Sequence, residues 1–376
     1  MNRISVISLV LGAFILIVGC KSEQPTWTKD PTPSSTKYAE NFLLQKKEGY
    51  TILTVKQPWK NAKTGFQYIA YQKGSPKPEG YPDATFIATP VETVACLSTT
   101  HVGMLDFVDA KDKLIAMSGT RFVNNKTVID NIENGLVTEL GSSEQLNYEV
   151  LLKLKPDIVL TYSLGSDNNT QKIKELGLTP VVIAEYLDNS PLGRAEWVKF
   201  LAVLLGKEIV TAKRFASIEQ DYLQTMKKVA DLPRPTVFTG LGYEGNWHVP
   251  EGDSYVARSI ADAGGNYLWK EKPGNGSLVL DFEAVISKGQ QADTWINVGM
   301  VNAKEDMLAV DDRYAQFSAF TNNRVYNGNA RVSDGGGYDI YESAVVFPNM
   351  VLKDLIKIFH PSVLPDHTLY YYKQLN

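Results

Sequence analysis

Two short segments of this 376-residue chain repeat one pattern on opposite sides of its longest helical stretch. Asn147-Tyr148-Glu149-Val150-Leu151 leads into Lys155-Pro156-Asp157-Ile158-Val159. Asp281-Phe282-Glu283-Ala284-Val285 leads into Ala292-Asp293-Thr294-Trp295-Ile296. Each copy reads as a polar cap, an aromatic, a Glu, a short helix, an Asp turn and a strand. Between them, Trp197, Phe200, Leu201, Leu204 and Leu205 fall on one helical stripe. Phe215, Ile218, Tyr222, Met226 and Val229 continue the period past Gly206, and Pro233 and Pro235 end it. The pattern predicts two similar lobes, 41–193 and 233–376, joined by one long helix over 194–232.

Strands and helices alternate inside each half, which points to an α/β fold. The expected architecture is two three-layer α/β lobes with a ligand cleft between them. In the first half, strands are expected at Glu92–Leu97, Leu114–Met117, Ile158–Thr161 and Val181–Ile183, with helices after Ser98, at Tyr148–Leu154 and at Gln171–Leu176. In the second, strands are expected at Thr236–Leu241, Thr294–Val298 and Arg324–Tyr326. Helices are expected at Tyr255–Ala263, capped by Ser254, and at Ser343–Phe359. Tyr50–Val55 and Phe66–Tyr71 read as a hairpin.

The first 19 residues have Arg3 and an apolar run from Ile7 to Val18, the proportions of an export signal and too short for a membrane span. Ile17-Val18-Gly19-Cys20 resembles a bacterial lipobox, which implies cleavage before Cys20, a lipid on Cys20 and a membrane-anchored, periplasmic chain, with display on the cell surface, which Lys21-Ser22-Glu23 could favour, as the alternative. Residues 20–40, rich in Pro, Ser, Thr and Lys, read as a tether. Cys96, in an apolar run, reads as a buried inert thiol. The net charge of −4 argues against a nucleic-acid binder, which would show a basic stripe.

From Val91 to Leu364 the chain resembles the helical-backbone (class III) periplasmic binding proteins of ABC importers for ferric siderophores, haem and cobalamin. The resemblance rests on Val94-Ala95-Cys96-Leu97-Ser98, Leu140-Gly141, Asn147-Tyr148-Glu149 and Leu154-Lys155-Pro156-Asp157-Ile158-Val159. It continues through Asp262-Ala263-Gly264-Gly265-Asn266, Leu280-Asp281-Phe282-Glu283, Asn323-Arg324-Val325-Tyr326 and Phe359-His360-Pro361. It departs where the family's Ser-Pro is Ser98-Thr99, and in the hairpin before Tyr71. The resemblance implies that Glu149 and Glu283 dock with a permease dimer, and that the ligand is a bulky metal chelate, with no resident cofactor.

Cleft residues are expected on loops at the strand ends. Thr100, His101, Arg121, Tyr162 and Ser163 are the candidates from the first half. Tyr243, Trp247, His248, Arg258, Arg331, Tyr338 and Tyr341 are those from the second. Aromatics supply apolar wall and Arg supplies planar donors for an anionic chelate. Four histidines make a bare metal site a poor fit, with His101 or a Tyr left as a haem ligand. A competing reading takes Gly252-Asp253-Ser254 with Asp366-His367 as an esterase centre, but Tyr255 stands where such enzymes carry Leu.

Overall fold

The repeated Asp of the two sequence echoes explains how each lobe is stitched together. In a computed structural model that describes residues 36–376 apart from 144, 164, 166 and 167, the Asp157 carboxylate accepts the amides of Glu92 and Thr93 at 2.8 and 3.1 Å. Thr93 Oγ1 in turn accepts the Asp157 amide at 2.9 Å. Asp293 and Thr236 repeat the exchange: the carboxylate accepts the Thr236 amide at 2.7 Å, and Thr236 Oγ1 accepts the Asp293 amide at 2.9 Å. Each exchange joins the entries of two neighbouring parallel strands, where ladder bonds have not yet begun.

The chain opens with β1 (Phe42–Lys47), β2 (Tyr50–Val55), β3 (Phe66–Gln72) and β4 (Thr85–Thr89), one sheet in that order. The expected hairpin is its centre, with Tyr50 opposite Tyr71. β5 (Val94–Cys96), β6 (Leu114–Met117), β7 (Thr138–Glu139), β8 (Ile158–Thr161) and β9 (Pro180–Val182) form a parallel sheet in the order β7-β6-β5-β8-β9. Alternate residues of β5 enter different cores, Val94 and Cys96 on one face and Ala95 on the other, so this sheet is the middle layer of a sandwich. Cys96 is fully buried, and burial pushes its thiol pKa up, as an inert thiol requires.

The second half contains β10 (Thr236–Thr239), β11 (Gly242–Tyr243), β12 (Asn246–Pro250), β13 (Asn266–Tyr267), β14 (Ser277–Leu280), β15 (Thr294–Ile296), β16 (Val325–Asn327) and β17 (Lys373–Gln374). Its main sheet runs β13-β10-β15-β16-β17, parallel except for β17, and β11-β12-β14 form an antiparallel sheet. Tyr255–Asp262 is a helix with Ser254 as its cap, accepting the Ala257 amide. The closing helix begins at Pro348 rather than Ser343, because proline fixes the first-turn dihedral and needs no donor there.

The stretch over 194–232 is not one rod. It consists of Pro191–Glu196, Val198–Leu205 and Glu208–Lys227, with a break at Gly206, whose φ of 66° is left-handed. Pro191–Glu196 spans the lobes, with Ala195 in the first-lobe core and Leu192 in the second, and the last helix, 20 residues long, packs into both. Phe215 and Ile218, near its middle, pack into the first-lobe core, whereas Tyr222, Leu223 and Met226 pack into the second. Lys353 and Asn349 of the closing helix both reach its Asp221 at 2.6 Å.

The chain entering from its N-terminal side is tied down beside this joint. The buried Glu196 carboxylate accepts the amides of Lys37, Tyr38 and Ala39. Cys20 and most of the expected tether lie outside the described residues. Among the described residues, no helix is long and apolar enough to cross a membrane.

On one flank the lobes meet directly. The helix Thr99–Phe107 lies so close to the second lobe that a Cβ on Gly103 would stand 2.1 Å from the Glu342 carbonyl oxygen. The Glu342 carboxylate accepts the amides of Asn124 and Asn125 at 2.6 and 2.8 Å. Gly103→Ala must therefore push the lobes apart at this seam. It is expected to cost about 1–3 kcal/mol, as overpacking does, and to lower the urea midpoint without changing the slope; an unchanged midpoint would show that the seam is loose.

Candidate functional site

The C-terminal ends of β5, β6, β7 and β8 point toward the gap between the lobes, and the turns that follow them carry short polar side chains. Ser98, Ser118, Gly141 and Tyr162 from these turns line an outer chamber of about 640 Å³. Arg121 and Phe122 close it from the first lobe, the guanidinium 4.3 Å above the Phe122 ring, and Met300 and Gly337 close it from the second. Tyr338 and Tyr341 line this chamber and an inner one of about 460 Å³. Their rings stack at 6.1 Å with 5° between planes. The approach of Gly335 and Gly337 to the first lobe brings them there, since a Cβ on either would meet the Arg121 or Phe122 carbonyl oxygen within 2.0 Å.

The inner chamber is mostly aliphatic and aromatic, with His248 of β12 on one side and Asn297 following β15. Its charged members come from the segment between β9 and the joining helices. Arg194 donates through Nε to the Asp188 carbonyl at 3.0 Å and through one Nη to the Tyr186 carbonyl at 2.8 Å. Its guanidinium lies 4.0 Å over the Tyr255 ring. Glu185 is 6% exposed and its Oε2 has no hydrogen-bond partner. Burial pushes its pKa up to about 7, against the pull of the Arg194 charge.

The expected site residues separate into groups. Arg121, Tyr162, Tyr338, Tyr341 and His248 face the two chambers, as does Thr100. His101 does not: it is fully buried, neither ring nitrogen has a partner, and burial lowers its pKa to about 3. Trp247 is 1% exposed within a ring cluster, stacked 5.6 Å from Trp295, with its indole N–H donating to the Thr239 carbonyl at 2.9 Å. It builds the second-lobe core instead of a ligand wall. Tyr243, beside it, is 68% exposed and lines neither chamber.

Arg258 pairs with Asp262 one turn along its helix at 2.8 Å and lines a separate surface pocket. Arg331 pairs with Asp339 at 2.5 Å and lies over Tyr370. Ser163 is buried, and its carbonyl accepts from the Tyr186 hydroxyl. Ser254 is a helix cap and His367 bonds Asp354 at 2.6 Å, so the esterase centre is not assembled. Arg194, Glu185 and Tyr255 are cleft residues that sequence reasoning passed over.

The repeated glutamates lie in the first turns of matching short helices. Glu149 is exposed on Tyr148–Leu154, capped by Asn147, whose side chain accepts the Val150 amide at 3.1 Å. Glu283 is exposed on Phe282–Gly289, capped by Asp281, which accepts the Ala284 amide at 2.7 Å. Arg313 approaches Glu283 at 3.4 Å while held by Asp311, an exposed pair of little energetic weight.

The family model described as periplasmic binding protein matches residues 94–332. A lipoprotein of Methanocaldococcus jannaschii, itself uncharacterised, is 27% identical over 330 residues, covering 83% of this chain and 77% of the relative. The structure of Staphylococcus aureus IsdE complexed with heme has a TM-score of 0.54 at 19% identity, covering 71% of this chain and 98% of that one. The periplasmic vitamin B12 binding protein BtuF of Vibrio cholerae has a TM-score of 0.52 at 15% identity, covering 74% and 99%.

Glu185 carries a pH signature. In the fold it keeps its proton until about pH 7. In the unfolded chain it releases the proton near 4.3, so between these values the fold binds more protons and loses stability as pH rises. Glu185→Gln lacks this loss and should gain about 3 kcal/mol on the parent chain between pH 4.5 and 8. The opposite slope from His101 is common to both proteins and cancels in the difference. Urea unfolding at several pH values measures it, and a constant difference would place an ionised Glu185 in the fold.

Proposed function

This chain belongs to the periplasmic binding protein family, and from that premise we propose that it captures a bulky metal chelate, above all a ferric siderophore, and hands it to an ABC importer. Family members of this fold are solute-binding proteins and not enzymes. The observation that carries the ligand reading is the two-chambered cleft, lined by both lobes and sharing one stacked tyrosine pair. A cleft of this size encloses a large guest, and its tyrosines offer flat apolar walls with hydroxyl handles. The nickel, iron or cobalt of such a guest arrives already ligated. Of the four histidines only His248 faces the cleft: His101 is enclosed, His360 contacts the Gly264 carbonyl at 3.2 Å and His367 is held by Asp354. Anionic ferric siderophores suit Arg121 and Arg194 better than neutral guests do.

Delivery would use the two repeated glutamates. Carboxylates on rigid lobes at a set spacing steer encounter with a cationic partner more than they add affinity. The lipid on Cys20, by analogy with the lipoprotein relative, would hold the protein on the outer face of the membrane beside its importer. The mechanism is then capture, slight closure about the joining helix, docking through Glu149 and Glu283, and release when the permease spreads the lobes.

Trp197, Trp247 and Trp295 are buried, and none of the described tryptophans lines the cleft, so calorimetry reports binding better than tryptophan emission. Titration with ferric siderophores, haemin and cobalamin is expected to give micromolar or tighter binding, about −8 kcal/mol, for a siderophore. Tyr341→Ala should weaken it about tenfold, some 1.4 kcal/mol. Binding of haemin or cobalamin alone would move the reading to that ligand, and binding of none would remove the chelate. Alanine at both Glu149 and Glu283 should leave the dissociation constant within about twofold and abolish cellular uptake, since rim charges act on encounter; undiminished uptake would refute docking.

A further inference from the structure

The two chambers differ in chemistry. The outer one carries Arg121 and Glu139 among serine and threonine hydroxyls, with Phe122 and Met300 among its apolar members. The inner one is walled by Val256, Ile260, Ile340, Val345 and Leu355, with one guanidinium at its edge. Arg194 is fixed on three sides, by the Asp188 and Tyr186 carbonyls and the Tyr255 ring, leaving one Nη without a protein partner. Among the described residues, no carboxylate oxygen comes within 4.0 Å of it. Two further polar atoms of the same lining are unpaired and buried: Glu185 Oε2, in a residue 6% exposed, and Thr239 Oγ1, in a residue 1% exposed.

A guanidinium in apolar surroundings with no carboxylate in contact, Glu185 and Asp188 acting on it only from a distance, is costly, and so is each unpaired polar atom. A guest that brings an anion on an apolar body removes both costs. Because the fold keeps Glu185 protonated toward neutral pH, its carboxyl does not supply that anion in full.

We propose that the inner chamber is a site for an amphiphilic carboxylate group, its hydrocarbon body against the aliphatic wall and its carboxylate on the free edge of Arg194. A planar guanidinium takes a carboxylate through parallel N–H donors, and a partly desolvated pair of this kind is stronger than one in water. Two sources carry this chemistry: an acid-bearing arm of the chelate seated in the outer chamber, and a free small acid. The site stands on the chamber's own residues and holds for either source.

Calorimetry on the full chain separates them. Hexanoate is compared with neutral hexanamide, and a ferric succinyl-desferrioxamine is compared with its acetyl counterpart, which lacks the terminal carboxylate. If a free acid is the guest, hexanoate binds about tenfold or more tightly than hexanamide; if a chelate arm is, the succinyl chelate does so over the acetyl one. Arg194→Gln should erase whichever preference is found. If that variant does not fold, the two preferences in the parent chain decide alone, since neither requires a substitution. No preference in either pair, or a preference that survives in folded Arg194→Gln, overturns the proposal. Binding of hexanoate with no binding of any chelate would leave this site standing and refute the chelate reading.

Discussion

Everything in this molecule depends on one helix having its two halves buried in different places. Phe215 and Ile218 of Glu208–Lys227 lie in the first-lobe core, and Tyr222 and Met226 in the second. A 20-residue helix is about 30 Å long and bends only at considerable cost. With both halves packed, the lobes cannot swing as they would on a pair of extended strands. The cleft is therefore largely formed before a ligand arrives, and its two faces keep their spacing. The seam at Gly103 and Glu342 adds a second point of contact away from the helix.

A preformed cleft fixes where its charges sit. Arg194 and Glu185 belong to the segment that leads from β9 into the joint, so they are positioned by the same architecture that sets the lobe spacing. A cluster of aromatics, by contrast, holds the second lobe together: Phe238, Trp247, Trp295 and Phe317 pack face to face or tilted within 6.3 Å of one another. The cleft takes Tyr162, Tyr186, Tyr255, Tyr338, Tyr341 and Tyr372, whose rings carry a polar tip, beside Phe122.

The sequence was readable wherever local signals were complete. Tyr148–Leu154 and Ile158–Thr161 match expectation to the residue because Asn147 caps one end of the helix and Lys155, with φ of 47°, turns the chain at the other. The matching glutamates and aspartates occupy equivalent positions in both lobes for the same reason. The joint was misread because the apolar stripe of Val198–Leu205 runs on in register across Gly206, and periodicity does not register a left-handed break. In the cleft, Tyr338 and Tyr341 were legible through the glycines before them. Arg194 was not, since a cation inside a helical stretch looks like a solvated one until Tyr255 and the Tyr186 carbonyl are seen around it. Trp247 was misassigned because its neighbours, Phe238 and Trp295, come from other strands of the lobe.

The joining helix can be tested without knowing the ligand. Spin labels on cysteines replacing Glu149 and Glu283, in a Cys20→Ser chain, report the separation of the lobe tips by pulsed electron resonance. A helix packed into both cores predicts one narrow distance distribution that shifts by less than a helical turn, about 5.4 Å, when ferric siderophore, haemin or cobalamin is added. A broad distribution, or a shift well beyond that on binding, would contradict the rigid joint and with it the preformed cleft.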